Sequence, residues 1–134
     1  IYYIYMKNIL IVEDNEDLQN IYKIAFEAAK IPVVIKSNGL EAIANIVEIN
    51  PCLILLDLLM PDLDGFKFMD LMKEKTSMNI PVIVCSNLSD ERSRQKCTEY
   101  GCYDYLIKAD IDISDIIKKV QKFISENPDK VKEN

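Results

Sequence analysis

Five polar side chains come at the ends of apolar runs of the sequence: Glu13 and then Asp14 after the first, and Asp57, Ser86 and Lys108 directly after three others. Three carboxylates brought within about 4 to 6 Å would repel each other by several kcal/mol, so they need a cation, most simply Mg²⁺. A carboxylate beside a metal, an ammonium and a hydroxyl can attack phosphorus, because positioning and charge neutralisation supply most of the catalysis in phosphoryl transfer. The residue types therefore predict metal-assisted phosphoryl transfer, if the fold brings them together.

The apolar runs alternate with segments of helical period. The runs are continuous, which is typical of parallel strands buried on both faces. They span residues 9–12, 32–35, 52–56, 81–85 and 103–107. Five βα units predict an α/β fold with an open, doubly wound parallel sheet and helices on both faces. Ligands of such sheets bind outside the carboxyl ends of the strands, so we expect the five polar side chains at one rim.

Helix boundaries can be predicted from capping residues. The expected N-caps are Asn15, Asn38, Asp64 and Ser89. Gly101 is expected to end the fourth helix. The last helix should run over residues 114–126 and stop before Pro128, and residues 129–134 are expected to form a charged, frayed tail.

Composition excludes several classes of function. Sixteen basic and 22 acidic residues give a net charge of −6, which disfavours binding to nucleic acid or anionic lipid. No apolar stretch approaches the roughly 20 residues that span a bilayer, so we expect a cytoplasmic protein without membrane association. The absence of histidine removes histidine-based triads and the commonest zinc ligand. The four cysteines form no CxxC pair and are expected to be core thiols.

Five segments resemble the signature blocks of the receiver domains of two-component response regulators, the CheY-like family. The segments are residues 9–14, 53–57, 60–65, 81–86 and 105–108. The resemblance covers about residues 7–126 and implies a (βα)₅ flavodoxin-like fold with strand order 2-1-3-4-5. The expected organisation is an N-terminal extension at residues 1–6, a receiver domain at 7–127 and a charged C-terminal tail at 128–134.

The resemblance also implies a role for each residue at the rim. Asp57 would be the phosphoacceptor, Ser86 the switch hydroxyl, Lys108 the phosphoryl-binding lysine and Tyr105 the aromatic whose rotamer reports activation. The implied ligands of Mg²⁺ or Mn²⁺ are Glu13, Asp14, Asp57 and the backbone carbonyl of Leu59. The expected function is a phosphorylation-dependent signalling switch rather than an enzyme, with self-catalysed phosphoryl transfer and slow autodephosphorylation. A degenerate receiver that only binds other proteins is the alternative.

Partners follow from the same resemblance. With no histidine in the chain, the phosphoryl donor must be external, and we expect a histidine kinase or a histidine phosphotransfer protein. The family's output face is the fourth helix, fifth strand and fifth helix. A downstream protein is expected there, as is a homodimer on phosphorylation. In this sequence the output face contains Arg92, Arg94, Lys96 and Tyr105.

Two positions depart from the family pattern, and two leucines suggest slow hydrolysis of the acyl phosphate. Ala109 follows the lysine where receivers usually have proline, and Asn87 follows the switch hydroxyl where they favour a small residue. Asn87 is expected to narrow the path to Asp57 or to bond the phosphoryl group. Leu59 and Leu88 are expected to flank the acyl phosphate and keep hydrolytic water away.

Other ligand sites fit the sequence poorly. A calcium loop around Gly65 would place Met60 and Leu71 where oxygen ligands are needed. The three glycines are far apart, which excludes a phosphate-cradling glycine loop. A phosphatase with an aspartate nucleophile would carry the motif Asp-x-Asp after its first strand. A flavin would place its phosphate beside the acidic residues that follow the first strand here, which would repel it.

Overall fold

Strands and helices alternate along the chain. The structure is a computed structural model that describes residues 5–77 and 79–133. The strands are β1 Ile9–Val12, β2 Val33–Lys36, β3 Leu53–Leu56, β4 Val82–Ser86 and β5 Asp104–Ile107. The helices are α1 Glu16–Ala28, α2 Gly39–Ile49, α3 Gly65–Lys75, α4 Glu91–Glu99, α5 Ile113–Glu126 and α6 Pro128–Val131, and Lys108–Asp110 forms a 3₁₀ turn after β5. Each predicted strand is found within one residue of its expected ends.

The strands form one parallel sheet in the order β2-β1-β3-β4-β5. This order and the doubly wound α/β class confirm the predicted fold. The register pairs Val12 with Lys36 and with Leu56, and pairs Leu56 with Val84. The carboxyl ends of the strands therefore align, and the residues that follow them meet at one edge.

The sheet separates two hydrophobic cores, because successive side chains of a strand point to opposite faces. Ile9 and Ile11 of β1 pack with Tyr22 and Phe26 of α1. The other face carries Leu10 and packs against α2 and α3. Strands β1, β3 and β4 are buried along their whole length, which explains why their sequences are continuously apolar.

Most predicted helix caps are confirmed. The side chains of Asn15, Asn38 and Asp64 accept hydrogen bonds from backbone N–H groups in the first turns of their helices. The prediction for Ser89 is wrong, because α4 is capped by Asp90. The Asp90 carboxylate accepts from both the N–H and the hydroxyl of Ser93, two bonds that a single hydroxyl at the preceding position does not match.

The C-terminal segment packs on the domain, so the prediction of a frayed tail is wrong for residues 129–133. Val131 of α6 is buried and shares a core with Met6. Met6 pairs with Lys132 in an antiparallel bridge, and the N–H of Lys7 donates to the Val131 carbonyl at 2.7 Å. Residues 1–4 of the predicted extension and Asn134 lie outside the described residues.

The helices differ in how deeply their side chains are anchored. Helix α5 buries Ile116, Val120, Phe123 and Ile124. Helix α4 has nine residues, all within the described part of the chain, and of these only Cys97 is buried. Among the described residues, no helix combines the length and the apolar character needed to cross a membrane.

Candidate functional site

Asp57 follows β3, the central strand, and its carboxylate is held at both oxygens. Oδ1 accepts a hydrogen bond from the backbone N–H of Leu59 at 3.0 Å, and Oδ2 lies 2.8 Å from Nζ of Lys108. Asp57 is only 6% exposed. The loop that carries it packs closely on Gly65, where an added Cβ would lie 2.8 Å from the Leu58 Cα. The fold therefore fixes the orientation of this carboxylate and leaves a small part of it open to solvent.

Glu13 lies beside Asp57 at the end of β1 and is 2% exposed. Its Oε1 is 2.6 Å from Nζ of Lys108, and its Oε2 accepts the N–H of Asn15 at 3.1 Å. Burial raises the pKa of Glu13, and the hydrogen bond from Lys108 opposes this rise. The carboxylate is therefore poorly solvated and depends on neighbouring positive charge.

Lys108 is the first residue of the 3₁₀ turn after β5, and its ammonium bridges Asp57 and Glu13. Burial lowers the pKa of Lys108, but the hydrogen bonds to the two carboxylates outweigh burial, and the net pKa is raised. Lys108 is thus a fixed cation that reaches across from β5 to the ends of β3 and β1.

Asp14 completes an acidic cluster with Glu13 and Asp57. One carboxylate oxygen from each lies within 4.8 Å of the others, and Asp14 is the exposed member. Three carboxylates and the Lys108 ammonium sum to −3 + 1 = −2. This uncompensated charge and the all-oxygen donor set fit one hard divalent cation. The three carboxylates predicted as metal ligands are therefore brought together by the fold.

Ser86 and Leu59 come from two neighbouring strands: Ser86 ends β4, and Leu59 lies two residues beyond Asp57, which follows β3. Ser86 is the last residue of β4 rather than the residue after it, and it is fully buried. Its Oγ accepts the N–H of Leu88 at 3.4 Å. Leu59 is bonded to Asp57 through its N–H, and its side chain is 54% exposed.

Tyr105 of β5 is bonded to the loop after β4. Its hydroxyl donates to the Leu88 carbonyl at 2.5 Å, and the guanidinium of Arg94 lies 5.2 Å from the centre of its ring. The Leu88 N–H bonds to Ser86, so Tyr105 and Ser86 are bonded to the same residue. Sequence reasoning did not find this connection, because it runs through backbone groups, which every residue type has.

Asn87 is bonded to the turn that follows β5. Its Oδ1 accepts the backbone N–H of Ala109 at 3.0 Å. A phosphoryl oxygen would instead accept from the side-chain amide N–H of Asn87, so the expectation that Asn87 bonds a phosphoryl group stays a prediction. Sequence reasoning missed Gln19, whose side-chain amide donates to the Glu13 carbonyl at 2.5 Å.

The fold and the acidic edge of its sheet together define a receiver-type switch domain. The chain matches the family model of the response regulator receiver domain over residues 9–121. This match covers most of the chain, and the protein belongs to the response regulator receiver family. Receivers act as phosphoacceptor switches within two-component systems rather than as classical enzymes.

Two curated relatives differ in how much of their length the chain covers. The chain is 27% identical to the polar-differentiation response regulator DivK of Brucella anthropi over 121 residues, which is 90% of this chain and 98% of DivK. It is 26% identical to the response regulator ArlR of Staphylococcus epidermidis over 93% of this chain and 56% of ArlR. The chain thus spans about half the length of ArlR and of several other curated relatives.

Solved receiver structures superimpose well on the chain. The receiver domain of the Francisella response regulator 1452 has a TM-score of 0.81 at 26% identity, covering 90% of this chain and 98% of that one. The Mn²⁺-bound form of response regulator Rcp1 has a TM-score of 0.72 at 29% identity, covering 89% of this chain and 92% of that one.

Proposed function

We propose that this chain is a phosphorylation-dependent signalling switch whose phosphoacceptor is Asp57. The observation that carries the proposal is the 2.8 Å contact between Asp57 and Lys108 within the cluster of three carboxylates. A structural ion pair would need only one carboxylate for the lysine. Two further carboxylates at the same edge repel each other, and a bound divalent cation would offset that repulsion and then attract phosphoryl oxygens.

In the proposed reaction, an oxygen of Asp57 attacks the phosphorus of a phosphohistidine on the donor protein. The O–P bond forms as the P–N bond breaks, and the electron pair of that bond stays on the imidazole nitrogen of the donor. Lys108 contacts Asp57 before transfer, and it would bind a phosphoryl oxygen afterwards. Ser86 would donate its hydroxyl hydrogen to a second phosphoryl oxygen.

Mg²⁺, or Mn²⁺ as in the form of Rcp1 described above, is the proposed cofactor. Glu13, Asp14, Asp57 and the backbone carbonyl of Leu59 would hold it. The metal would neutralise the excess negative charge and orient phosphoryl oxygens. Glu13 is already bonded to Lys108 and Asn15, so its carboxylate is held in position before a ligand arrives.

Phosphorylation would reach the output face through the loop after β4. In the first proposed step, the Ser86 hydroxyl leaves the Leu88 N–H and binds the phosphoryl group. The Leu88 carbonyl moves with its residue, and Tyr105 then adopts a second packing. A downstream protein, or a second copy of the chain, would bind this altered face on α4, β5 and α5.

The proposed setting is the cytoplasm, with a histidine kinase or a histidine phosphotransfer protein as donor. The net charge of −6 and pI near 4.7 argue against nucleic acid and anionic membranes as partners of this chain.

The decisive experiment is the intact mass after incubation with acetyl phosphate and Mg²⁺. The unsubstituted chain should gain one acid-labile phosphoryl group, and Asp57→Asn should gain none while keeping its circular dichroism spectrum. Asp110→Asn is the matched control, because Asp110 is an exposed carboxylate two residues beyond Lys108 and should not matter. An unlabelled parent chain would favour the alternative of a degenerate receiver that binds partners without phosphorylation.

The metal site is tested separately by thermal unfolding. Mg²⁺ at 100 times its dissociation constant should stabilise the domain by about 2.7 kcal/mol, since the ion relieves repulsion only in the folded state. Asp14→Asn should weaken this response. An equal response in both proteins would place the ion elsewhere.

A further inference from the structure

Cys97 and Cys102 lie at the carboxyl end of α4, where the cap of the helix brings them together. Gly101 has a φ of +76°, and its N–H donates to the Thr98 carbonyl at 3.0 Å. The N–H of Cys102 donates to the Cys97 carbonyl, also at 3.0 Å. These two bonds form a Schellman motif, in which the residue after the glycine folds back over the last helical turn. The reversal of the chain therefore places the two cysteines side by side.

The two side chains share surroundings, and only one of them is accessible. The thiol of Cys102 donates to Sδ of Met69 at 3.8 Å, and Cys97 belongs to the same hydrophobic cluster as Met69. Cys97 is 1% exposed, whereas Cys102 is half-buried. A small solute can therefore reach Cys102 before it reaches Cys97.

The difference in exposure divides the chemical roles of the two sulfur atoms, and the shifts of their pKa values support the same division. The neighbouring Cys97 thiol lowers the pKa of Cys102, and the Lys73 ammonium acts in the same direction. The neighbouring Cys102 thiol, followed by burial, raises the pKa of Cys97. Because the thiolate is the reactive form of cysteine, the accessible Cys102 is the nucleophile and Cys97 is the second thiol.

The other two cysteines lack this arrangement. Cys52 donates to the backbone carbonyls of Lys7 and Asn8, and Cys85 accepts a hydrogen bond from the hydroxyl of Tyr22. Both are buried, and burial raises the pKa of each thiol. These two cysteines therefore fit the expected role of core thiols and serve as internal controls.

We propose that Cys97 and Cys102 are a dithiol that peroxide converts into a disulfide across the end of α4. The Cys102 thiolate attacks one oxygen of hydrogen peroxide, the O–O bond breaks and hydroxide leaves, giving Cys102 sulfenic acid. The Cys97 sulfur then attacks the Cys102 sulfur and loses its proton. The S–S bond forms and water leaves. One peroxide and two thiols thus become one disulfide and two waters.

Oxidation at this position acts on a helix that buries a single one of its nine residues. Cys97 is the buried residue of α4, and both cysteines belong to the same hydrophobic cluster as Tyr105. A disulfide would tie the last turn of α4 to the segment that leads into β5. The modification does not require phosphoryl transfer to Asp57, and both would act on the output face.

The test counts free thiols after oxidation of the folded chain. The reduced protein is treated with hydrogen peroxide, denatured and alkylated, and its intact mass is measured. Alkylation should fall from four thiols to two, dithiothreitol should restore all four, and a digest should contain a peptide that joins Cys97 to Cys102. Retention of all four thiols, or a disulfide between other cysteines or between two chains, overturns the proposal.

Substitutions distinguish the roles of the two sulfur atoms. In Cys97→Ala, Cys102 should stop at the sulfenic acid and react with dimedone, whereas Cys102→Ala should resist oxidation. Cys52→Ala and Cys85→Ala should still lose two thiols to peroxide. If Cys97→Ala does not fold, Cys102→Ala carries the test, because that side chain is half-buried. Dimedone labelling of Cys52 or Cys85 in place of Cys102 contradicts the proposal.

Discussion

The side-chain oxygen of Asn87 accepts a hydrogen bond from the backbone N–H of Ala109 at 3.0 Å. These are the two positions at which the sequence departs from the receiver pattern. Alanine at position 109 has an N–H that proline would lack, and asparagine at position 87 supplies the acceptor for it. Each departure therefore accounts for the other, and together they tie the loop after Ser86 to the turn that begins at Lys108.

The hydrogen bond between these loops can be tested by hydrogen exchange at the Ala109 amide. Asn87→Ala should lower the free energy of unfolding by about 0.5 to 1.5 kcal/mol and speed hydrogen exchange at the Ala109 amide, because a single hydrogen bond is lost. Asn87→Asp retains an acceptor and should keep that amide protected. Unchanged exchange at Ala109 in Asn87→Ala would show that the bond does not hold the turn.

The lifetime of the phosphorylated state should depend on Leu59 more than on Leu88. Leu59 is 54% exposed beside Asp57, whereas Leu88 is half-buried against the hydrophobic core. Leu59→Asn should speed loss of phosphate by about 2- to 10-fold, the effect of one hydrogen bond to an attacking water. Decay of purified phosphoprotein measures the rate, and Leu59→Met is the apolar control. Equal rates for Asn and Met would exclude control of water by this residue.

Leu88→Glu is a less direct test of water exclusion. Its side chain packs on the core and its backbone bonds to Ser86 and Tyr105, so the substitution disturbs packing as well as access of water. The expectation that both leucines flank the phosphoryl group therefore stays a prediction, and Leu59 is the residue that tests it.

Gly65 is required by the close approach of the loop that carries Asp57. A Cβ at position 65 would lie 2.6 Å from Cδ2 of Leu58 and 2.8 Å from the Leu58 Cα. Gly65→Ala should cost about 1 to 3 kcal/mol of unfolding free energy, since a backbone atom must shift. It should also slow phosphorylation, because Leu58 is adjacent to Asp57.

Gly39→Ala provides the matched control for that substitution. Its added Cβ would lie 3.1 Å from side-chain atoms of Leu63, which is partly buried and can move. Urea unfolding should therefore show a smaller loss for Gly39→Ala than for Gly65→Ala. The reverse order would contradict the role assigned to the Gly65 contact.

Cys52 should make the domain less stable at alkaline pH. Burial raises the pKa of Cys52 from 9.0 to about 11. Between these values the unfolded chain loses the thiol proton while the folded chain keeps it, so the unfolding free energy falls as pH rises. The full effect is on the order of 2 to 3 kcal/mol.

Cys52→Ala removes this contribution, so the stability difference between the parent chain and Cys52→Ala should shrink from about pH 8.5 to about pH 11. Urea unfolding in the presence of reductant measures the difference. A difference that stays constant with pH would show that the Cys52 thiol does not titrate in this way.

Much of the fold follows from burial patterns that are visible in the sequence. Continuous apolar runs such as residues 53–56 are typical of parallel strands covered on both faces, and in such a sheet Asp57 follows β3 at the edge where ligands usually bind. Asn15 and Asp64 cap their helices as expected, because capping is a local interaction between a side chain and the next turn.

What the sequence did not predict depends on contacts between distant segments. The packing of Val131 on Met6 joins the two ends of the described chain, and no local pattern distinguishes it from a charged tail. The bond between Asn87 and Ala109 likewise joins two loops that are 22 residues apart. The error at Ser89 is of another kind, since Ser89 and Asp90 are both good N-caps and only the geometry of the loop decides between them.

The shallow anchoring of α4 gives the domain an unequal distribution of local stability. Melting this helix would uncover one buried side chain, Cys97, whereas melting α5 would uncover four. Sub-global opening of α4 should therefore occur at a lower free energy than global unfolding, and its amides should exchange through that opening. A partner that binds only the closed form of α4 would have to suppress this opening, which lowers its apparent affinity by the fraction of the domain that is open.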